Sequence, residues 1–79
     1  MSGSDSTARD IANDIEHYLG KHPYAADTAS GIQRCWLSTE WAEAPVDRVE
    51  EALEILEDRG VVVRREVPGG SVIYSARMH

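Results

Sequence analysis

The apolar residues of this chain change their spacing at Gly60. Before this glycine they recur every three or four positions, which predicts the buried stripe of a helix that begins near Pro45 and ends at Gly60. After it, "VVVRREV" and "SVIYSAR" are rich in β-branched residues and are joined by "PGG", which predicts an antiparallel hairpin. The sequence leaves open which face of the hairpin points inward. The helical stripe comprises Val46, Val49, Ala52, Leu53 and Leu56.

Two further helices and a short strand are predicted upstream. The first helix is expected to begin near Thr7 and to end near Gly20. The second is expected at about Thr28 to Leu37, capped by Asp27 or Thr28, with a short strand at Tyr24 to Ala26 before it. The first helix buries Ala8, Ile11, Ala12, Ile15, Tyr18 and Leu19, and the second turns Ile32, Cys35 and Trp36 inward.

The length of 79 residues predicts one small domain with a modest core and no deep active-site cleft. Residues 1–6, "MSGSDS", have the small polar composition of a disordered tail, so the domain is expected to span residues 7–79. Cys35 has no second cysteine with which to form an internal disulfide, and no stretch has the apolarity of a signal peptide or membrane span. A reducing, cytoplasmic setting is therefore expected.

The predicted order of elements is helix, short strand, two helices and hairpin. This order resembles a winged helix-turn-helix domain of the kind found in small bacterial proteins. The segments that carry the resemblance are "AADTASGIQRCWL" and "PVDRVEEALEILEDRGVVVRREVPGGSVIYSA". The resemblance covers nearly all of residues 7–77. It implies an α+β fold in which the third helix is the recognition helix and the C-terminal hairpin is the wing. Nucleic-acid binding is the commonest role that it implies.

The charge departs from a DNA-binding pattern. Residues 40–60 hold eight acids and two bases. The net charge of this segment is therefore −6, which equals the net charge of the whole chain. Duplex DNA binding draws much of its affinity from Lys and Arg against phosphate, so this segment has the wrong sign for entering a groove of DNA. It is either a solvated face or a surface for a partner. The acids predicted on the solvent side of the third helix are Asp47, Glu50, Glu51, Glu54 and Asp58.

Three arginines of the predicted hairpin, Arg64, Arg65 and Arg77, are the candidates for contact with a nucleic-acid backbone. Charged residues on edge strands serve more often to prevent edge-to-edge pairing than to contact phosphate. The same arginines could pair with the acidic helix of a second copy in a symmetric dimer.

Catalysis finds little support in the sequence. The three histidines, His17, His22 and His79, are poorly placed to activate a nucleophile, and the predicted inward position of Cys35 favours a small buried hydrophobe. The ligand spacings of a metal site, such as CxxC or HxxxH, are missing, and "PGG" is too short to cradle a phosphate. No enzyme activity, cofactor, metal or small-molecule substrate is therefore expected.

Trp41 lies in the polar connector "STEWAEAP" and is expected to be more exposed than Trp36. Partly exposed tryptophans are enriched at binding hot spots, although covering the edge of a small core is the commoner role. The sequence thus favours a non-enzymatic module that binds a protein with a basic or mixed surface through Trp41 and the acids of the third helix. A DNA-binding regulator that uses the hairpin arginines is the alternative, and an accessory subunit of a larger assembly is a third possibility.

Overall fold

A computed structural model describes residues 3–41 and 43–77 and has an α+β architecture of three α-helices and a three-stranded antiparallel sheet. This fold class, with the C-terminal hairpin and the short strand between the first two helices, confirms the prediction from sequence. The sheet order is β1-β3-β2, so the short strand pairs with the second strand of the hairpin. The elements are α1 (Gly3–Lys21), β1 (Ala26–Asp27), α2 (Ala29–Cys35), a 3-10 turn (Thr39–Trp41), α3 (Val46–Asp58), β2 (Val62–Glu66) and β3 (Val72–Ala76).

The described part of α1 begins at Gly3, upstream of the start that the sequence predicts near Thr7. Met1 and Ser2, the first residues of the predicted tail, lie outside the described residues. The division of the chain into a tail and a domain stays a prediction.

The hydrophobic core lies where α1 and α3 pack together, with α2 and the sheet closing its sides. The predicted stripe of each long helix faces this core, because positions three and four apart fall on one side of a helix. Tyr18 and Val46, at the edges of their stripes, are half-buried. The fully buried side chains of the two helices include Ile11, Ala12, Ile15, Val49, Ala52, Leu53 and Leu56.

The end of α3 fixes where the hairpin begins. Gly60 has φ of +76°, a left-handed conformation that side chains rarely adopt. Its N–H donates to the carbonyl of Glu57 at 3.0 Å, and the N–H of Val61 donates to the carbonyl of Leu56 at 2.8 Å. This pair of bonds is the Schellman arrangement, which satisfies carbonyls at the helix end and turns the chain directly into β2.

The start of α2 follows the predicted cap, and the predicted short strand before it is present with shifted bounds. Thr28 is the N-cap, and its Oγ1 accepts a hydrogen bond from the N–H of Gly31 at 3.1 Å. Strand β1 lies at Ala26–Asp27 rather than Tyr24 to Ala26, because the chain is still turning where the N–H of Ala25 donates to the carbonyl of His22. Tyr24 is consequently exposed.

The C-terminal end of α2 corrects one prediction and confirms another. Trp36 is buried as expected and stacks on Tyr18, with ring centroids 4.8 Å apart. Cys35 is exposed, so the prediction that it points inward is wrong. Trp36 lies four residues after Ile32 and takes the inward position itself, which leaves Cys35 on the solvent side.

The pairing of the hairpin settles which face is buried. Val62 and Tyr74 are buried on the face toward the helices, and Arg64 lies on the same face because side chains alternate along a strand. Val63 and Arg65 lie on the other face and are exposed.

Candidate functional site

The acidic face of α3, defined as Asp47, Glu50, Glu51, Glu54 and Asp58, is exposed throughout. Within the described residues, an ion pair is found for only one of the five: the Arg48 Nη1 lies 3.0 Å from the Glu51 Oε1. The neighbouring Glu57 has the second ion pair of the described chain, with its Oε2 3.9 Å from the Nε of Arg64. Both pairs are solvent-exposed, so each contributes about 0–1 kcal/mol. Most of the negative charge of α3 therefore faces solvent without compensation.

Acids of α3 line two grooves, and Glu54 lines both of them. One groove, of about 500 Å³, lies between α3 and the hairpin, and we call it the α3–hairpin groove. The other, of about 420 Å³, lies between α3 and the N-terminal part of α1. This second groove contains Glu51, Glu54 and Asp58, but Arg9 and Arg59 also line it. The two grooves therefore have different electrostatic surroundings.

The α3–hairpin groove lies between three elements. Helix α3 contributes Glu50, Glu54 and Glu57, which are spaced four and three residues apart and so project from one side of the helix. The hairpin contributes Arg64 and Tyr74, and the cap of α2 contributes Thr28. The Schellman turn leads directly from α3 into β2, and the pairing of β3 with β2 brings Tyr74 to the same groove.

Tyr74 lines this groove together with its charged side chains. Its side chain is largely buried, with 9% exposed, and burial raises its pKa above the ordinary 10.0. The Arg64 guanidinium lowers this pKa, while the Glu50 and Glu57 carboxylates raise it. Both carboxylates and the guanidinium are thus close enough to act on one phenol.

Glu57 and Tyr74 were not among the candidate site residues of the sequence. Glu57 follows Glu50 at a helical spacing, which predicts that both lie on the same side of α3. The position of Tyr74 depends on the register of β3 against β2, which pairs it with Arg64, and sequence spacing alone does not give that register.

The structure does not bring the three hairpin arginines together. Arg64 lines the α3–hairpin groove, and Arg65 lies on the opposite face of β2. The guanidinium of Arg77 lies near the other end of the hairpin, with Nη1 3.7 Å from where a Cβ on Gly60 would be. The three side chains therefore do not form one basic patch.

Trp41 is half-buried and packs against the hydrophobic core. The residues that line the two acidic grooves do not include it. The connector is held to α1 by Asp14, whose Oδ2 accepts hydrogen bonds from the N–H of Ser38 at 3.0 Å and from its Oγ at 2.9 Å. Trp41 therefore lies outside both grooves.

Two other features are absent from the described ranges, residues 3–41 and 43–77. No group of three or more His, Cys, Asp or Glu residues in these ranges is arranged to hold a metal ion. None of their helices combines the length and the apolarity that a membrane span requires.

Comparison of the chain with protein-family models, with curated proteins and with solved structures finds no match in any of the three.

Proposed function

We propose that the chain is a binding module of the winged helix-turn-helix type that acts without catalysis, and that the acidic face of α3 contacts a basic or mixed surface of a protein partner. The observation that carries this proposal is the exposure of all five acids of that face, four of which have no ion pair within the described residues. Solvated carboxylates along one side of a rigid helix supply a strong, directional negative potential.

The order of the elements supports the winged-helix interpretation. Helices α2 and α3 correspond to the helix-turn-helix pair, and β2 with β3 corresponds to the wing. In this interpretation α3 holds the position of a recognition helix. Its outward side chains are carboxylates where a DNA reader would carry Arg, Asn or Gln.

Charge favours a protein over nucleic acid as the partner. Phosphate repels the acidic face, and the hairpin arginines that would have to overcome this repulsion point in different directions. A basic protein surface would instead be attracted, and its association rate would fall as salt screens the attraction over about 8–10 Å.

The proposal can be tested with two matched triple variants. The first replaces Glu50, Glu51 and Glu54 by Lys and so reverses the charge of the acidic face. The second replaces Asp10, Glu16 and Glu43, which are exposed elsewhere, by Lys. The two variants have the same net charge, so a difference between them reports the position of the charge rather than its sum.

Fluorescence anisotropy with random duplex DNA gives the first measurement. The unmodified chain should show no binding at physiological salt within the range of about 10⁻⁴–10⁻⁶ M that is typical of non-specific DNA binders. Immobilised chains exposed to a native lysate give the second. Proteins retained by the unmodified chain and by the second variant, but lost by the first, would be the expected result.

The contrary result is tight, salt-sensitive DNA binding by the unmodified chain that is lost when Arg64 and Arg65 are changed to Ala. The alternative function, a DNA-binding regulator that uses its hairpin, would then replace the proposal.

A further inference from the structure

We infer that the α3–hairpin groove binds an arginine side chain of the partner, in competition with the chain's own Arg64. This inference rests on the proposed function and makes it more specific: the acidic face recognises an exposed basic segment of a protein, and one guanidinium of that segment enters the groove.

The α3–hairpin groove has an excess of negative charge. Three carboxylates line the groove, those of Glu50, Glu54 and Glu57, against one cationic side chain, that of Arg64. The other groove beside α3 has two arginines among its lining residues. Of the two grooves, the α3–hairpin groove therefore favours an added cation more strongly.

Arg64 already places a guanidinium in this groove. Its Nε lies 3.9 Å from the Oε2 of Glu57, which shows that a guanidinium is sterically accommodated at this end of the groove. The side chain of Arg64 is 57% exposed, and the distance is long for a charge-assisted hydrogen bond. Such an exposed pair is weak, so a partner's guanidinium can displace it.

The volume of the groove and the acceptors on its walls suit a guanidinium. A volume of about 500 Å³ lies in the range of sites that hold a side chain or a small ligand. The carboxylates provide acceptors that match the forked donors of a planar guanidinium. Arginine fits these walls better than lysine, whose compact ammonium is more strongly hydrated.

The experiment uses three labelled peptides of the same length that differ at their central residue, which is arginine, lysine or the neutral isostere citrulline. Their affinity for the unmodified chain is compared with that for Arg64→Gln and Arg65→Gln. These two variants lose the same charge from adjacent residues of β2, but only Arg64 lines the groove. Amide NMR spectra recorded during the titrations locate the bound peptide.

Arg64→Gln should bind the arginine peptide about two- to fivefold more tightly than Arg65→Gln, since it removes a competing ion pair. The arginine peptide should bind more tightly than the lysine peptide, and the citrulline peptide should be the weakest. The amides of Thr28, Glu50 and Ser71, which line the groove, should shift the most.

Two results would overturn the inference, and they differ in what they imply for the proposed function. Equal affinities for Arg64→Gln and Arg65→Gln, with shifts spread along the whole acidic face to Asp58, would reject the groove but keep the acidic face as the binding surface. No shift of any α3 amide with the arginine or lysine peptide would reject both.

Discussion

The carboxylate of Asp27 occupies the space that a side chain on Gly31 would need. A Cβ at Gly31 would overlap that carboxylate. The Oδ1 of Asp27 also accepts a hydrogen bond from the N–H of Thr28 at 2.8 Å, and Asp27 pairs with Tyr74 in the sheet. The junction of β1, α2 and β3 beside the α3–hairpin groove therefore depends on the absence of a side chain at Gly31.

Replacing Gly31 by Ala should destabilise the chain by about 1–3 kcal/mol, because the Asp27 carboxylate must move away from the cap of α2. Gly20→Ala is the matched control, since Gly20 lies in the last turn of α1 with no atom within 4 Å of its Cβ position. That change should stabilise the chain by about 0.5–1 kcal/mol. Urea denaturation measures both, and a destabilising effect of the same size at each glycine would contradict the packing at Gly31.

The faces of α3 predict a second contrast. Leu53 and Leu56 are fully buried, so Leu53→Ala or Leu56→Ala should cost about 2–5 kcal/mol through the cavity that it leaves. Glu54→Gln, on the exposed side of the same helix, should change the free energy of unfolding by less than about 0.5 kcal/mol. Denaturant melts that gave equal losses for the two classes would contradict the assignment of these faces.

The parts of the fold that sequence predicted are those set by local periodicity. Leu53 and Leu56 continue a helical stripe, Gly60 allows a left-handed turn, and "PGG" joins two β-rich segments, so each residue carries its own signal. The shift of β1 and the outward position of Cys35 were missed for a different reason. Each depends on which of several neighbouring residues packs best in three dimensions, as Trp36 does in place of Cys35.

The candidate site was likewise predictable from local spacing only in part. Helical spacing predicted that Glu50 and Glu54 would share an exposed face, and both are exposed. The groove itself requires the hairpin to fold back beside α3, which brings Arg64 and Tyr74 to carboxylates of that helix. No local pattern encodes that approach, because it depends on strand register and on the exit angle after Gly60.

The two tryptophans should differ in their accessibility to a neutral quencher. Trp36 is 7% exposed and stacked on Tyr18, whereas Trp41 is half-buried at the edge of the core. In variants that retain a single tryptophan, acrylamide should therefore quench Trp41 more strongly than Trp36. Equal protection of both would place Trp41 deeper in the core and remove it from the candidate binding residues.

Asp14 should control the order of the connector after α2. Asp14→Ala removes the acceptor of both hydrogen bonds from Ser38, so the Ser38 amide should exchange with solvent faster. Asp10→Ala is a suitable control because Asp10 is exposed one turn earlier on α1. Hydrogen-exchange NMR would compare the two, and unchanged exchange at Ser38 in Asp14→Ala would show that the connector is held by other contacts.

Tyr74 should titrate above the ordinary tyrosine pKa of 10.0, since burial disfavours the phenolate. Arg64 lowers this pKa and Glu50 raises it, so Arg64→Gln should increase the pKa and Glu50→Gln should decrease it.

In the unfolded chain the phenol ionises at about pH 10. The stabilisation associated with neutral Tyr74 is therefore complete below that pH and is lost as the pH rises through the folded-state pKa. Ultraviolet difference titration of the unmodified chain against Tyr74→Phe isolates this group. A Tyr74 that titrated at or below the ordinary value of 10.0 would contradict the arrangement of charges around the groove, and opposite shifts in Arg64→Gln and Glu50→Gln would support it.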